Sequence, residues 1–190
     1  AVLYADFIDQ CERRNGRAVL APSVSPEHWG WTANFERNRN CTFDIAMVRY
    51  VLQAAVEGAT TLGRDPDLVT RFRTVLALLP DYPCTQAEEP VVVDVEDAPP
   101  IEYNIVVPTM PVFPGDVVTW QSPVEQRELF SRTLESIQWN GNNSMVMLGV
   151  ARARLDMPGT LEWMREEVKA RLRPNGTLTL SRLGADFNNF

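Results

Sequence analysis

Apolar residues recur along most of this chain at spacings of three and four, the pattern of amphipathic helices. In residues 43–62, FDIAMVRYVLQAAVEGATTL, a stripe of Phe43, Met47, Tyr50, Val51, Ala54 and Leu62 predicts one helix, and Gly63 supplies its left-handed stop. Asp65 and Pro66 restart the chain as N-cap and first helical residue, and Leu68, Phe72, Val75 and Leu79 carry the pattern to Pro80. These two runs predict an antiparallel helix pair. A second group follows. Ser122, Pro123 and Glu125 read as a capping box opening a helix to about Gln138, Asn143 opens another to Leu155, and Pro158 starts a third to about Leu172. The opening AVLYADFIDQCERRNG reads as the last turns of a further helix, which places the start of the chain in mid-structure and brings the helices to about six.

Between the two groups, residues 80–121 are irregular. PVVVDV at 90–95 predicts a short strand. The proline-rich run APPIEYNIVVPTMPVFPGD predicts an extended path over a surface, because proline neither continues a helix nor donates to a sheet. RPNGTLTLSR, with its Pro-Asn-Gly turn and alternating tail, predicts a small hairpin arm. The fold class is all-α, with helical hairpins joined by long loops, the arrangement of a toroid or solenoid.

Composition narrows the partners. With 190 residues, 45% hydrophobic and 23% charged, the chain has the makeup of an ordinary globular protein. A net charge of −7 disfavours nucleic acid and anionic membranes, which need clustered Lys and Arg, and a neutral ligand such as a sugar fits better. No apolar run approaches the roughly 20 residues that span a bilayer. Three cysteines (Cys11, Cys41, Cys84) without metal spacing and a single histidine argue against a zinc site. Asn-x-Ser/Thr triplets at Asn40, Asn142 and Asn175 are frequent by chance and say nothing firm about secretion.

The densest chemistry lies in LAPSVSPEHWGW, residues 20–31, a rigid polar and aromatic loop between helical stretches. Glu27 can accept hydrogen bonds from sugar hydroxyls, His28 can donate one, and Trp29 or Trp31 can stack on the apolar face of a pyranose. The plainer reading has the prolines fixing a crossing loop, the tryptophans filling the core and Glu27 capping a helix. Asp44, in the first turn of the following helix, supports the loop or serves only the helix dipole.

APSVSPEHW followed by CTFDIAMVRYVLQAAVEGATTLGRD resembles the catalytic domain of family 95 glycoside hydrolases, the inverting α-L-fucosidases and related enzymes. Pro22 to Glu27 match a Pro-Ser-x-Ser-Pro-Glu loop, Thr42 and Asp44 a Thr-x-Asp helix start, and Glu57 to Asp65 the later turns of that helix. PVFPGD at 111–116 and RTLESIQWNGNNSMVMLGVARARL resemble the family's Pro-Gly segment and the helix pair after it. The resemblance implies an (α/α)6 toroid of six hairpins around a sugar pocket. Residues 1–190 would then form one partial domain of it, with further helices before residue 1 and after Phe190. The implied partners are an oligosaccharide or polysaccharide substrate and the remaining part of the same domain, with no metal or organic cofactor and a secreted or periplasmic location.

An inverting glycosidase needs two carboxyl groups, one protonated to assist the leaving oxygen and one ionised to activate water. By distance to the Pro-Gly pair, the resemblance points to Glu89 as the acid, with Glu88 and Asp94 behind it, although CTQAEEPVVVDVEDAPPIEYN lacks the Trp of the family's Gly-Gln-Leu-x-Glu-Trp stretch and the His-Arg-His-x-Ser-His segment is absent. For the base the resemblance offers Asp186 in ADFNNF at 185–190, displaced and in imperfect register, or else a residue beyond the end of the chain. Three other readings stay open. One is a non-catalytic carbohydrate-binding relative, and a second is a helical interaction scaffold. The third is a polysaccharide lyase with Tyr103 as base beside Asn104, which binds the substrate's uronate.

Overall fold

The computed structural model of the chain describes residues 1–140 and 144–179, and residues 141–143 and 180–190 lie outside the description. Six α-helices occur among the described residues: α1 (Val2–Gln10), α2 (Thr42–Leu62), α3 (Pro66–Leu78), α4 (Val124–Ser136), α5 (Ser144–Arg154) and α6 (Thr160–Arg171). Four two-residue strands accompany them: β1 (Arg13–Arg14), β2 (Arg17–Ala18), β3 (Glu102–Tyr103) and β4 (Gln138–Trp139). The chain is all-α with short strands and long loops. It divides into two compact units, Ala1–Gln86 with Val93–Pro99, and Ala87–Val92 with the chain from Pro100 on.

In the first unit α2 and α3 form the expected hairpin. Gly63 makes the turn possible: at φ 62° and ψ 36° its N–H donates to the Thr60 carbonyl at 3.2 Å, closing a helix end that a Cβ would strain. Phe72, Val75 and Leu79 point inward as their spacing requires. The buried face of α2 is rotated from the predicted stripe. Ile45, Val48 and Leu52 enter the core, while Tyr50 and Leu62 are exposed. FDIAMVRYVL is apolar around most of the helix, so tertiary partners and not periodicity choose the face. Ala5 and Ile8 of α1 and Ala18 and Leu20 around β2 complete this core, in which each fully buried Ile, Leu or Phe contributes about 1.5–3 kcal/mol.

The opening stretch also departs from the prediction. Its helix stops at Gln10, and Asn15 and Gly16, at φ 52° and 78°, turn β1 back antiparallel onto β2. An Asn-Gly pair between short strands is a strong hairpin signal because both residues tolerate positive φ.

In the second unit Phe130 and Leu134 of α4 are buried, as are Met145, Leu148 and Ala151 of α5. Gly149 lets α6 approach α5, since a Cβ there would lie 2.1 Å from the Met164 sulfur. The capping box does not form: α4 begins at Val124 with Pro123 as N-cap, and Ser122 Oγ instead accepts the Thr119 N–H at 3.0 Å. α6 begins after Gly159, not at Pro158. The proline-rich run is not a surface path either. A short 3-10 turn at Val107–Thr109 and the bends after it bury Val106, Val107, Met110 and Val112, because proline-fixed turns fold the segment back on itself. PVVVDV forms no strand, and its Val93 to Val95 are buried in the first unit. The predicted hairpin arm is present as a bridge between Leu172 and Leu178 across the turn at Gly176, with its last residues outside the description.

Candidate functional site

The loop between β2 and α2 is built on buried polar side chains. Ser23, Ser25, Asn38 and Asn40 are all buried, which is affordable only because each is hydrogen-bonded. Asn38 Oδ1 accepts the N–H of Thr32 at 2.8 Å and its hydroxyl at 2.9 Å, while Nδ2 donates to the carbonyls of Trp29 and Gly30, both at 3.2 Å. Asn40 Oδ1 accepts the Leu20 N–H at 2.8 Å. These amides tie the two ends of the loop into one turn-rich body.

Two carboxyl groups hold that body from below. Asp44, in the first turn of α2, accepts the Ser23 hydroxyl at 2.6 Å, and Ser23 Oγ in turn accepts the Cys41 N–H at 2.9 Å. Burial raises the Asp44 pKa above the ordinary carboxylate value, and the Ser23 hydrogen bond opposes that rise. The same burial pushes the neighbouring Cys41 thiol up to about 12, so it is a packed, unreactive group.

Asp94 is the second anchor and is 0% exposed. Its Oδ1 accepts the Trp29 indole N–H at 3.0 Å and the Val95 N–H at 3.1 Å, and its Oδ2 accepts the Ser25 hydroxyl at 3.1 Å and faces His28 Nδ1 at 3.4 Å. Burial raises the Asp94 pKa, opposed by the Trp29 and Ser25 hydrogen bonds and the nearby His28. The backbone of the same segment fastens α2, since Thr42 N–H donates to the Asp94 carbonyl at 2.9 Å and Thr42 Oγ1 to the Val93 carbonyl at 2.6 Å.

These bonds sort the predicted residues into layers. His28 has a side chain only 10% exposed, and Trp29 is half-buried with its N–H committed to Asp94 and the Arg37 guanidinium 5.3 Å from its ring centroid. Glu27 is exposed, and Trp31 is 69% exposed, its ring edge-on to Phe35 at 5.7 Å. Phe35 in turn lines an open cleft of about 770 Å³ with Phe7, Glu12, Arg14, Pro22 and Arg39. Beside it Arg14 pairs with both oxygens of Glu96, which holds that carboxyl below its ordinary range. The surface next to the loop therefore offers two half-exposed aromatic rings, guanidinium groups and carboxylates around one hollow, the mixture that binds polyhydroxylated ligands.

Glu27, His28, Trp29, Trp31 and Asp44 thus come together in the first unit. Glu89 lies in the second, exposed in a bend, and so does Asn104, whose carbonyl accepts the Ser144 hydroxyl at 3.0 Å. Tyr103, the base the lyase reading requires, is buried. Asp186 lies outside the described residues. Sequence reasoning passed over Asp94 as the loop's anchor. Its signal was an acid set among valines in VVVDV, an apolar setting that a surface carboxylate does not need. Among the described residues no helix is long and apolar enough to cross a membrane.

A family model described as the glycosyl hydrolase family 95 catalytic domain matches residues 1–156, from α1 through α5. The comparison with curated proteins gave no match.

Proposed function

Because the chain belongs to the family of glycosyl hydrolase family 95 catalytic domains, we propose that it takes part in hydrolysing a terminal glycosidic bond, α-L-fucoside-like or related, with inversion at the anomeric carbon. In this reading the two units contribute helical hairpins to an (α/α)6 toroid, and the loop from Pro22 to Trp31 grips the terminal sugar. The observation that carries the reading is the layering of that loop. Ser23 and Ser25 are held by Asp44 and Asp94, while the exposed Glu27 accepts from sugar hydroxyls and the exposed Trp31 stacks on a pyranose face beside the cleft. His28 and Trp29 act beneath them as supports, a narrower role than direct contact.

Glu89 is the proton donor in this scheme and Asp186 the base that activates water. Glu89 is exposed in a bend, so its carboxyl is reachable by substrate. The test is Glu89→Gln in the protein, assayed on natural fucosylated oligosaccharides and on aryl glycosides with activated leaving groups. Loss of only the acid step abolishes the first activity and spares the second, since an activated leaving group departs without a proton. Unchanged turnover of both substrates would eliminate Glu89 as the acid. The same assay followed by proton NMR reports the first-formed anomer, and retention would overturn the inverting mechanism.

A further inference from the structure

We infer that Asp94 is the positioning residue of the sugar loop, fixing His28 as the Nδ1–H tautomer and locking the Trp29 indole, so that Glu27 and Trp31 are presented in one preset geometry. The inference rests on the loop being the sugar-binding element.

Around Asp94 Oδ1 stand the Trp29 indole N–H at 3.0 Å and the Val95 N–H at 3.1 Å, groups that only donate. That oxygen is therefore a fixed acceptor. Oδ2 receives the Ser25 hydroxyl at 3.1 Å and looks at His28 Nδ1 at 3.4 Å. A carboxylate cannot donate, so this 3.4 Å contact, an electrostatic one and not a formed hydrogen bond, favours the neutral imidazole tautomer with its proton on Nδ1 and its lone pair on Nε2. The backbone shows that this arrangement is imposed. Trp29 sits at φ 45°, in the left-handed region that bulky residues avoid, and such a conformation persists where the surroundings over-determine it. The surroundings here are the Asp94 bond to its indole and the Asn38 bond to its carbonyl. The Asp94 carbonyl meanwhile accepts the Thr42 N–H, so the carboxylate and the start of α2 are one rigid piece. One side chain thereby sets the relation of Ser25, His28 and Trp29, which flank Glu27 on both sides in sequence.

His28 is the chain's single histidine, so protein labelled with 15N-histidine gives one imidazole pair and its tautomer is read without assignment. In its neutral form the wild-type imidazole is expected to show Nδ1 protonated and Nε2 unprotonated. In Asp94→Asn the remaining oxygen stays with the Trp29 and Val95 donors, which turns the amide NH2 toward His28 and drives its proton to Nε2. On a hydrolysed glycoside the same variant raises KM about tenfold with kcat within about threefold, because the loop's grip is uniform binding. A wild-type spectrum with Nε2 protonated overturns the inference, whether or not the variant folds. So does a folded Asp94→Asn that keeps both the tautomer and KM. If no glycoside is hydrolysed at all, the functional reading fails, and the wild-type spectrum still decides the role of Asp94.

Discussion

Replacing Trp29 with phenylalanine separates the support role of that residue from direct contact with sugar. The substitution keeps an aromatic ring in place and deletes one atom that matters, the indole nitrogen whose N–H donates to Asp94 Oδ1 at 3.0 Å. Asp94 is completely buried, so no water replaces the missing donor. A hydrogen bond to a charged acceptor contributes about 1.5–3 kcal/mol, and part of that loss is offset by the remaining Val95 N–H on the same oxygen. A net cost of about 2 kcal/mol lowers the Tm of a protein this size by about 4–8 °C. Thermal melts followed by far-ultraviolet circular dichroism at pH 7 measure it, with calorimetric titration of candidate monosaccharides run on the same sample below the transition. A Trp29→Phe protein with unchanged Tm and weakened sugar affinity would refute the reasoning, because it would make Trp29 a contact surface and its bond to Asp94 energetically idle.

Asp44 yields a prediction about pH. Burial raises its folded-state pKa above the ordinary 3.8, so the folded state holds its proton more tightly than the unfolded chain. The wild type should therefore lose stability relative to Asp44→Asn as pH rises from about 4 through the folded pKa. The depressed pKa of Glu96 is common to both proteins and drops out of the difference. Melts at pH 4, 5, 6 and 7 check the sign, and a difference that is constant or grows in favour of the wild type contradicts it. Gly63→Ala, at φ 62°, should cost about 1 kcal/mol, or about 2–4 °C in Tm, from the left-handed conformation alone. A variant at least as stable as the wild type would show that the α2–α3 turn does not require glycine.

How much of this was legible in the chain depends on the distance over which each contact acts. The α2–α3 hairpin was, because Gly63, Pro66 and the Phe72–Val75–Leu79 spacing are local signals that tertiary packing does not oppose. The face of α2 was not, since residues 43–52 are apolar nearly all round and the choice falls to α1 and α3. The Asn15–Gly16 hairpin carried a clear local signal that the helical reading of its neighbours overrode. The loop of residues 20–31 stood out by composition, and Asp44 beside it by its place in a helix turn. The layering of the loop was hidden, because it depends on Asp94, a carboxylate far along the chain whose valine neighbours mark it as buried without showing what it holds. Ser122 shows the opposite failure, a motif with the right letters whose hydroxyl serves the preceding turn instead of the helix.

The measurement that bears most directly on the account is calorimetric titration of α-L-fucose and other monosaccharides into the wild type, Glu27→Ala and Trp31→Ala, with a melt of each protein. Both side chains are exposed, so the account predicts that affinity falls about tenfold or more in each variant while Tm stays within about 1–2 °C. Sugar affinity equal to the wild type's in both variants, or a large fall in Tm with affinity intact, would contradict the claim that this loop is where the sugar binds.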